Sequence, residues 1–247
     1  MPDVPDVPEV PDFEAMYAHN PDPFGVRHTW YERRKLKVLL ATLLRERYGA
    51  GWDPACGTGD LTNALATRCE QVLATDASQQ AVRITTALTH GKTNVHVRHL
   101  RLPDLPTTTL SYDLVIVAEV LYYLSEPDRT RMFQLLDTVT RNVPDAEVVA
   151  VHWRHHPHDA HLSGVDVTEE LGAALIDHAW TPAVRHDDTD FVLASWVRPG
   201  DRDQDNNGAA GAFEPAQHPG PLPSGLPLCP PTTTGTTRAA RGAPPDG

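Results

Sequence analysis

A chain of 247 residues in which 40% are hydrophobic has apolar material for one sizeable domain with tails. Its formal net charge of −12 argues against nucleic-acid binding, which draws on clustered Lys and Arg to displace counterions, and against docking on an anionic membrane. The 3 cysteines, Cys56, Cys69 and Cys229, form neither a disulfide framework nor a metal-ligand pattern. With no secretory signal and no apolar run near the roughly 18 residues of a membrane span, a cytoplasmic protein without metal is expected.

Residues 1–12 repeat a Pro-Asp/Glu-Val unit and read as a solvated, disordered leader. From Trp30 to Tyr48 the spacing predicts an amphipathic helix, with Leu36, Leu39, Leu40, Leu43 and Leu44 on one face. Gly51 to Ala55 is a short strand entering a glycine loop, and a helix with Leu61, Ala64 and Leu65 inward follows. Gln71 to Thr75 is a buried strand, and Ser78 can cap a helix running to about His90. Val95 to Leu100 alternates as a strand. Tyr112 to Ala118 is apolar almost throughout, as a strand covered on both faces should be.

Pro127 to Arg141 is helical, Glu147 to His152 a strand, and Thr168 to Ala179 a helix begun by Asp166 or Thr168. Ala183 to His186 and Asp190 to Val197 form a closing hairpin. Residues 199–247, rich in Pro, Gly and Thr, read as a disordered tail. The domain between the tails therefore spans 13–198. Alternating strands and helices imply an α/β fold: a mostly parallel, seven-stranded sheet with helices on both faces and one antiparallel strand.

The loop Asp53-Pro54-Ala55-Cys56-Gly57-Thr58-Gly59-Asp60 lies after the first strand and before a helix, where parallel sheets bind ligands. Glycine there allows close backbone approach. Asp76 ends the second strand and can accept the hydroxyl protons of a ribose, with Ala77 beside it. A nicotinamide-dinucleotide fingerprint would carry a third glycine where Thr62 stands, and an acid, Asp53, precedes the glycines instead. This pattern looks like the first motif of S-adenosylmethionine (SAM) methyltransferases, with Ala55 in the first glycine place.

Further segments narrow the resemblance: Pro21-Asp22-Pro23-Phe24-Gly25, Trp30-Tyr31-Glu32-Arg33-Arg34-Lys35, Ala118-Glu119-Val120-Leu121-Tyr122-Tyr123-Leu124 and His152-Trp153-Arg154-His155. From about Phe13 to Arg198 the chain resembles the nodulation protein S (NodS-like) type of class I methyltransferases. The resemblance implies a Rossmann-like class I methyltransferase fold, SAM as cofactor, and methyl transfer to an amine of a deacetylated chito-oligosaccharide. The chain departs from the superfamily at Leu100-Arg101-Leu102, where an acid usually meets the adenine. Backbone groups near Leu102 are the expected substitute.

Within this frame the expected cofactor residues are Trp30, Arg34, Asp53, Ala55, Gly57, Gly59, Asp76, Ala77, Leu102 and Glu119, with Arg33 an alternative to Arg34 at the SAM carboxylate. Glu119, just past the fourth strand, and His152, ending the fifth, are the candidate catalytic pair. Tyr122, Tyr123 and Trp153 are expected to wall the acceptor pocket. The basic run from Arg33 to Lys37 otherwise reads as a solvated face. The histidine-rich stretch Arg154 to Val165 reads as a lid loop, since its spacing lacks a metal motif. The expected acceptor is an oligosaccharide or other small molecule, methylated on an amine or hydroxyl by a monomer or homodimer. A natural-product methyltransferase and a non-catalytic SAM-binding protein are the alternatives, with an NAD oxidoreductase disfavoured by the missing glycine.

Overall fold

The computed structural model describes residues 10–106 and 111–200. Of the disordered leader expected over 1–12 the structure describes residues 10–12, where Asp12 is instead ordered as the cap of the first helix; the rest of the leader, and all but residues 199 and 200 of the tail expected over 199–247, lie outside the described residues. The elements run α1 (Phe13–His19), α2 (Trp30–Thr42), β1 (Tyr48–Pro54), α3 (Asp60–Leu65), β2 (Cys69–Asp76), α4 (Gln79–Leu88), β3 (Val95–His99) and β4 (Leu114–Ala118). A 3₁₀ turn at Leu121–Tyr123 precedes α5 (Glu126–Val139), β5 (Glu147–Trp153), α6 (Gly164–Asp177), β6 (Thr181–Asp187) and β7 (Phe191–Val197).

The strands form one seven-stranded sheet in the order β3-β2-β1-β4-β5-β7-β6. β7 inserts antiparallel between β5 and β6, while the pairs among β1 to β5 are parallel. The closing hairpin predicted from two successive strands is what places this antiparallel member.

Two apolar layers flank the sheet, and strand parity assigns residues to them. Along β4, Leu114 and Ile116 join Leu39, Leu43 and Leu65 on the α2–α3 side. Val115 and Val117 join Met132, Leu136, Val167, Leu171 and Leu175 on the α5–α6 side. Burial on both faces is why this strand is a nearly continuous apolar run. Each such side chain gains about 1.5–3 kcal/mol relative to exposure.

Helix starts follow side-chain caps. Ser78 accepts from the Ala81 N–H at the start of α4, and Ser125 accepts from Asp128 at the start of α5. Helix α6 begins earlier than Asp166 or Thr168 would set it: Ser163 is its cap, accepting from the Asp166 N–H, and Gly164 is its first residue. A Cβ on Gly164 would lie 1.8 Å from the Trp153 carbonyl oxygen, so the helix starts where the chain crosses β5.

Helix α2 is shorter than its leucines predict. Leu43 turns extended, Leu44 is half exposed, and Tyr48 already belongs to β1, its hydroxyl 2.5 Å from Glu147. The short helix α1, capped by Asp12, was not anticipated; its one buried residue is Tyr17. Among the described residues no helix is long and apolar enough to cross a membrane.

Candidate cofactor and acceptor site

The carboxyl ends of β1, β2, β4 and β5 border a cavity of about 1340 Å³, roofed by α1 and flanked by α2. Ordinary ligand pockets run to about 1,000 Å³, so this one has room for a cofactor and a second molecule. The glycine loop forms one end. Ala55, Gly57 and Gly59 all have positive φ, at 64°, 53° and 83°. A Cβ on Gly57 would lie 2.6 Å from the Tyr17 hydroxyl, and one on Gly59 would lie 2.7 Å from Thr85 Oγ1 and 3.0 Å from its Cα. Gly59 thus lets α4 close on the loop, and Gly57 leaves the loop backbone bare beneath α1.

Asp76 is buried at the end of β2. Its Oδ2 accepts the Gly57 N–H at 2.9 Å and its Oδ1 accepts the Ser78 N–H at 2.8 Å. Burial raises its pKa, opposed by these two donors. Asp53, also buried, accepts from Thr62 Oγ1 at 2.6 Å, and burial pushes it up to about 7. Both carboxylates line the cavity, together with Ala55, Gly57, Ala77, Leu100, Arg101 and Leu102.

Two residues that the sequence reading passed over fasten the roof. Glu14 on α1 accepts from Ser78 Oγ at 2.7 Å and from the Gln80 N–H at 3.1 Å. Arg27 donates to Asp60 at 3.1 Å and to the Thr58 carbonyl at 2.8 Å, which ties the α1–α2 connection to the glycine loop.

The far end is centred on Glu119, a non-glycine residue with φ of 55°. Its Oε1 accepts from Lys35 Nζ, and its Oε2 accepts from the Tyr122 hydroxyl at 2.6 Å and the Trp153 N–H at 2.8 Å. Burial pushes its carboxyl upward, but the Lys35 ammonium and the hydrogen bonds from Lys35 and Tyr122 outweigh that and hold it below the usual carboxylate range. Lys35 also donates to Glu32 at 2.9 Å. Burial alone would lower the Lys35 pKa; Glu119 and Glu32 carry it above its ordinary value. Tyr122, Tyr123 and Trp153 all line this end, with Phe13 edge-on to Tyr123 at 5.0 Å.

Three expected residues stand elsewhere. Trp30 is 65% exposed on the outer face of α2 and does not border the cavity. Arg34, one turn on, points the same way: it lies over the Trp30 and Phe191 rings and pairs with Asp188 at 2.5 Å. Helical rotation puts Arg33, not Arg34, among the lining residues.

His152 is fully buried and outside the cavity wall. Its Nδ1 lies 3.1 Å from Thr168 Oγ1, its ring meets Tyr122 edge-on at 5.4 Å, and its Nε2 has no hydrogen-bond partner. Burial lowers its pKa to about 4. It packs against the Tyr122 ring and does not border the cavity. Conversely, Lys35 borders the cavity although the basic run from Arg33 to Lys37 reads as solvated, and Glu32 borders it beside Lys35. The signal was present: Tyr31, Lys35 and Leu39 recur every four residues on the inward face.

His156, His158 and His161 of the loop before α6 also line the cavity. The His161 N–H donates to the Tyr122 carbonyl at 2.8 Å, which binds this loop to the 3₁₀ turn. Among the described residues no group of three or more His, Cys, Asp or Glu is placed to hold a metal ion.

A mostly parallel sheet with a glycine loop and a buried acid at adjacent strand ends is the arrangement of the Rossmann-like class. A family profile described as a methyltransferase domain matches residues 52–142. Nodulation protein S of Bradyrhizobium diazoefficiens is 32% identical over 108 residues, which are 42% of this chain and 50% of that protein. The chain thus spans about half the length of the curated relative it matches.

A Pseudomonas syringae protein provisionally named a methyltransferase is 31% identical, with 69% of this chain and 100% of that one covered and a TM-score of 0.57. The N-methyltransferase NodS from Bradyrhizobium japonicum WM9, solved with S-adenosyl-L-homocysteine, shares the fold at 23% identity, with 76% and 96% covered and a TM-score of 0.62. The chain belongs to the class I SAM-dependent methyltransferases and is similar to NodS over the matched part.

Proposed function

We propose that this protein transfers a methyl group from SAM to an amine or hydroxyl of a sugar or glycosylated small molecule. One observation carries the reading: a single cavity runs from Asp76 and Gly57 to Glu119 and Trp153, large enough for two ligands. At the first end, Asp76 would hold the ribose, the Gly57 backbone would lie under the cofactor, and Leu100 to Leu102 would flank the adenine. When bound, SAM supplies a methyl group on a sulfonium, which an acceptor takes by in-line displacement.

The chain's own part is position and charge. Glu119, held ionised by Lys35, would accept a hydrogen bond from a neutral amine or a hydroxyl and turn its lone pair toward the methyl group, the acceptor's proton leaving to solvent after transfer; its low pKa suits it better to that than to proton abstraction. Trp153 at the rim, with Tyr122 and Tyr123 inside, offers flat apolar surface for a ring. The NodS likeness supports an aminosugar acceptor, with Glu119 facing its amine.

The test is calorimetric titration of the full-length protein with SAM, S-adenosyl-L-homocysteine and NAD, followed by methyl transfer to a deacetylated chito-oligosaccharide. Binding of the adenosyl ligands and not NAD, with label appearing on the sugar amine, is expected. Binding of NAD alone would sink the cofactor assignment. Transfer to a non-sugar natural product, with none to the oligosaccharide, would move the acceptor class.

A further inference from the structure

We propose that Lys35 is a positioning residue: seated between Glu32 and Glu119, it fixes the Glu119 carboxylate, ionised, at the acceptor end of the cavity. The inference rests on the functional reading above and extends it to a residue on another element. Lys35 is only 7% exposed, an unusual state for a side chain that ordinarily keeps its ammonium in water. Its Nζ bonds both Glu32 and Glu119, and lies 4.8 Å from the centre of the Tyr31 ring. The tie joins the inward face of α2 to the end of β4, across 84 residues of chain.

The groups facing Glu119 come from three elements. Lys35, Glu32 and Tyr31 belong to α2, Tyr122 to the 3₁₀ turn, and His152 with the Trp153 N–H to β5. His152 is neutral near pH 7, and Tyr122 is a neutral donor, so Lys35 supplies the cation. The cluster holds one more carboxylate than ammonium, which leaves negative charge facing the cavity. Without Lys35, two partly buried carboxylates would stand beside each other with no counter-charge, and one would take up a proton. A protonated Glu119 would lose its charge toward the acceptor and turn donor, which competes with the Tyr122 and Trp153 donors.

The test compares full-length wild type, Lys35→Met and Lys35→Arg by NMR titration of carboxyl-labelled glutamate, with the Glu119 signal assigned through Glu119→Gln. The pH profile of methyl transfer is recorded alongside. In Lys35→Met the Glu119 titration should move upward by about 1–3 pH units, the acid limb of the transfer profile should move with it, and Lys35→Arg should restore both. Loss of thermal stability in Lys35→Met with the titration unmoved would reduce Lys35 to a structural tie and overturn the proposal.

If Lys35→Met does not fold, Glu32→Gln decides. Removing the competing carboxylate should leave Lys35 to Glu119 alone and move the Glu119 titration downward; no movement overturns the proposal. The NMR arm needs no acceptor, so a failure of transfer in the wild type counts against the proposed function and leaves the Lys35 result standing.

Discussion

The two ends of the cavity are built by different means. At the glycine-loop end, the loop and its two acids lie within 53–78, are mostly backbone or short acids, and are held chiefly by neighbours between β1 and α4, Gly57 with Asp76, Asp53 with Thr62 and Gly59 against Thr85, with Glu14 and Arg27 adding ties from the α1 side. At the acceptor end, Glu119 takes its partners from α2, the 3₁₀ turn and β5. The first end is a local chain conformation that many acceptors can share. The second is a set of long-range side-chain ties, which is where substrate preference can change without disturbing the cofactor. Substitutions at the first end should therefore act through backbone space, and those at the second through charge and support.

The largest effect should come from closing that space. Gly59→Ala places a Cβ against Thr85 at a φ of 83°. Left-handed strain costs about 1–2 kcal/mol and overpacking about 1–3 kcal/mol more. Chemical denaturation should show a loss of about 2–5 kcal/mol, and calorimetry a weaker affinity for S-adenosyl-L-homocysteine. Intact stability and affinity would mean that α4 moves off the loop freely, and the contrast between rigid and adaptable ends would fail.

Next stands His152→Ala, which tests support at the other end. Removing a fully buried ring beneath Tyr122 should cost about 2–4 kcal/mol at pH 7. The pH dependence has a definite sign. Burial holds the folded pKa at about 4, below an unfolded value of about 6.5, so the wild type loses stability as pH falls between those values. The variant lacks that loss, and the stability gap should narrow by about 1–2 kcal/mol between pH 7 and pH 5. A gap constant with pH, together with a transfer rate that fell at unchanged stability, would return His152 to a catalytic role.

The sequence disclosed these two ends unequally, for physical reasons. Strands buried on both faces appear as apolar runs, and a glycine loop between strand and helix is a local signal, so the sheet, its antiparallel strand and the glycine loop at one end of the cavity were legible. Side-chain direction decides the rest, and it follows from strand and helix register. His152 and Trp153 are successive strand residues and point to opposite faces, so only one of them can face the cavity. Trp153 does, as does Val151, two residues back. On α2, the same rotation that brings in Tyr31, Lys35 and Leu39 carries Trp30 and Arg34 outward. A charged residue on an inward stripe was discounted because charge usually means solvent, and its distant partner Glu119 left no local trace. Helix α1 went unseen because a seven-residue helix with one buried side chain has almost no period to read.

Asp53→Asn should act more quietly, through linkage. Burial raises the Asp53 carboxyl to about 7, against about 3.9 unfolded. For an acid raised in this way, the favourable contribution is complete below the unfolded value and lost as pH rises through the folded one. Wild-type stability should therefore decline between about pH 4 and pH 7, and the amide variant should show a flatter profile in denaturation series across that range. A cationic ligand near Asp53 favours its ionised form, so wild-type affinity for SAM should rise with pH through neutrality and that of the variant should not. Parallel slopes in both proteins would place the methionine end of the cofactor away from Asp53.

Ala55→Gly should have the smallest effect and gives the sharpest reading of the loop itself. Ala55 holds a φ of 64°, a left-handed conformation that costs an alanine about 1–2 kcal/mol and a glycine almost nothing. Glycine also gains freedom in the unfolded chain, which lowers stability by about 0.4–1 kcal/mol. The two contributions oppose each other, so denaturation should show the variant equal to wild type or more stable by up to about 1.6 kcal/mol. The backbone path would be unchanged, and affinity for S-adenosyl-L-homocysteine should hold within about twofold, or roughly 0.4 kcal/mol. A clear loss of affinity would mean that the alanine methyl, which reaches the cavity wall, itself touches the cofactor. The cofactor end would then depend on a side chain as the acceptor end does, and the division between backbone and side-chain construction would need to be drawn at Gly57 instead.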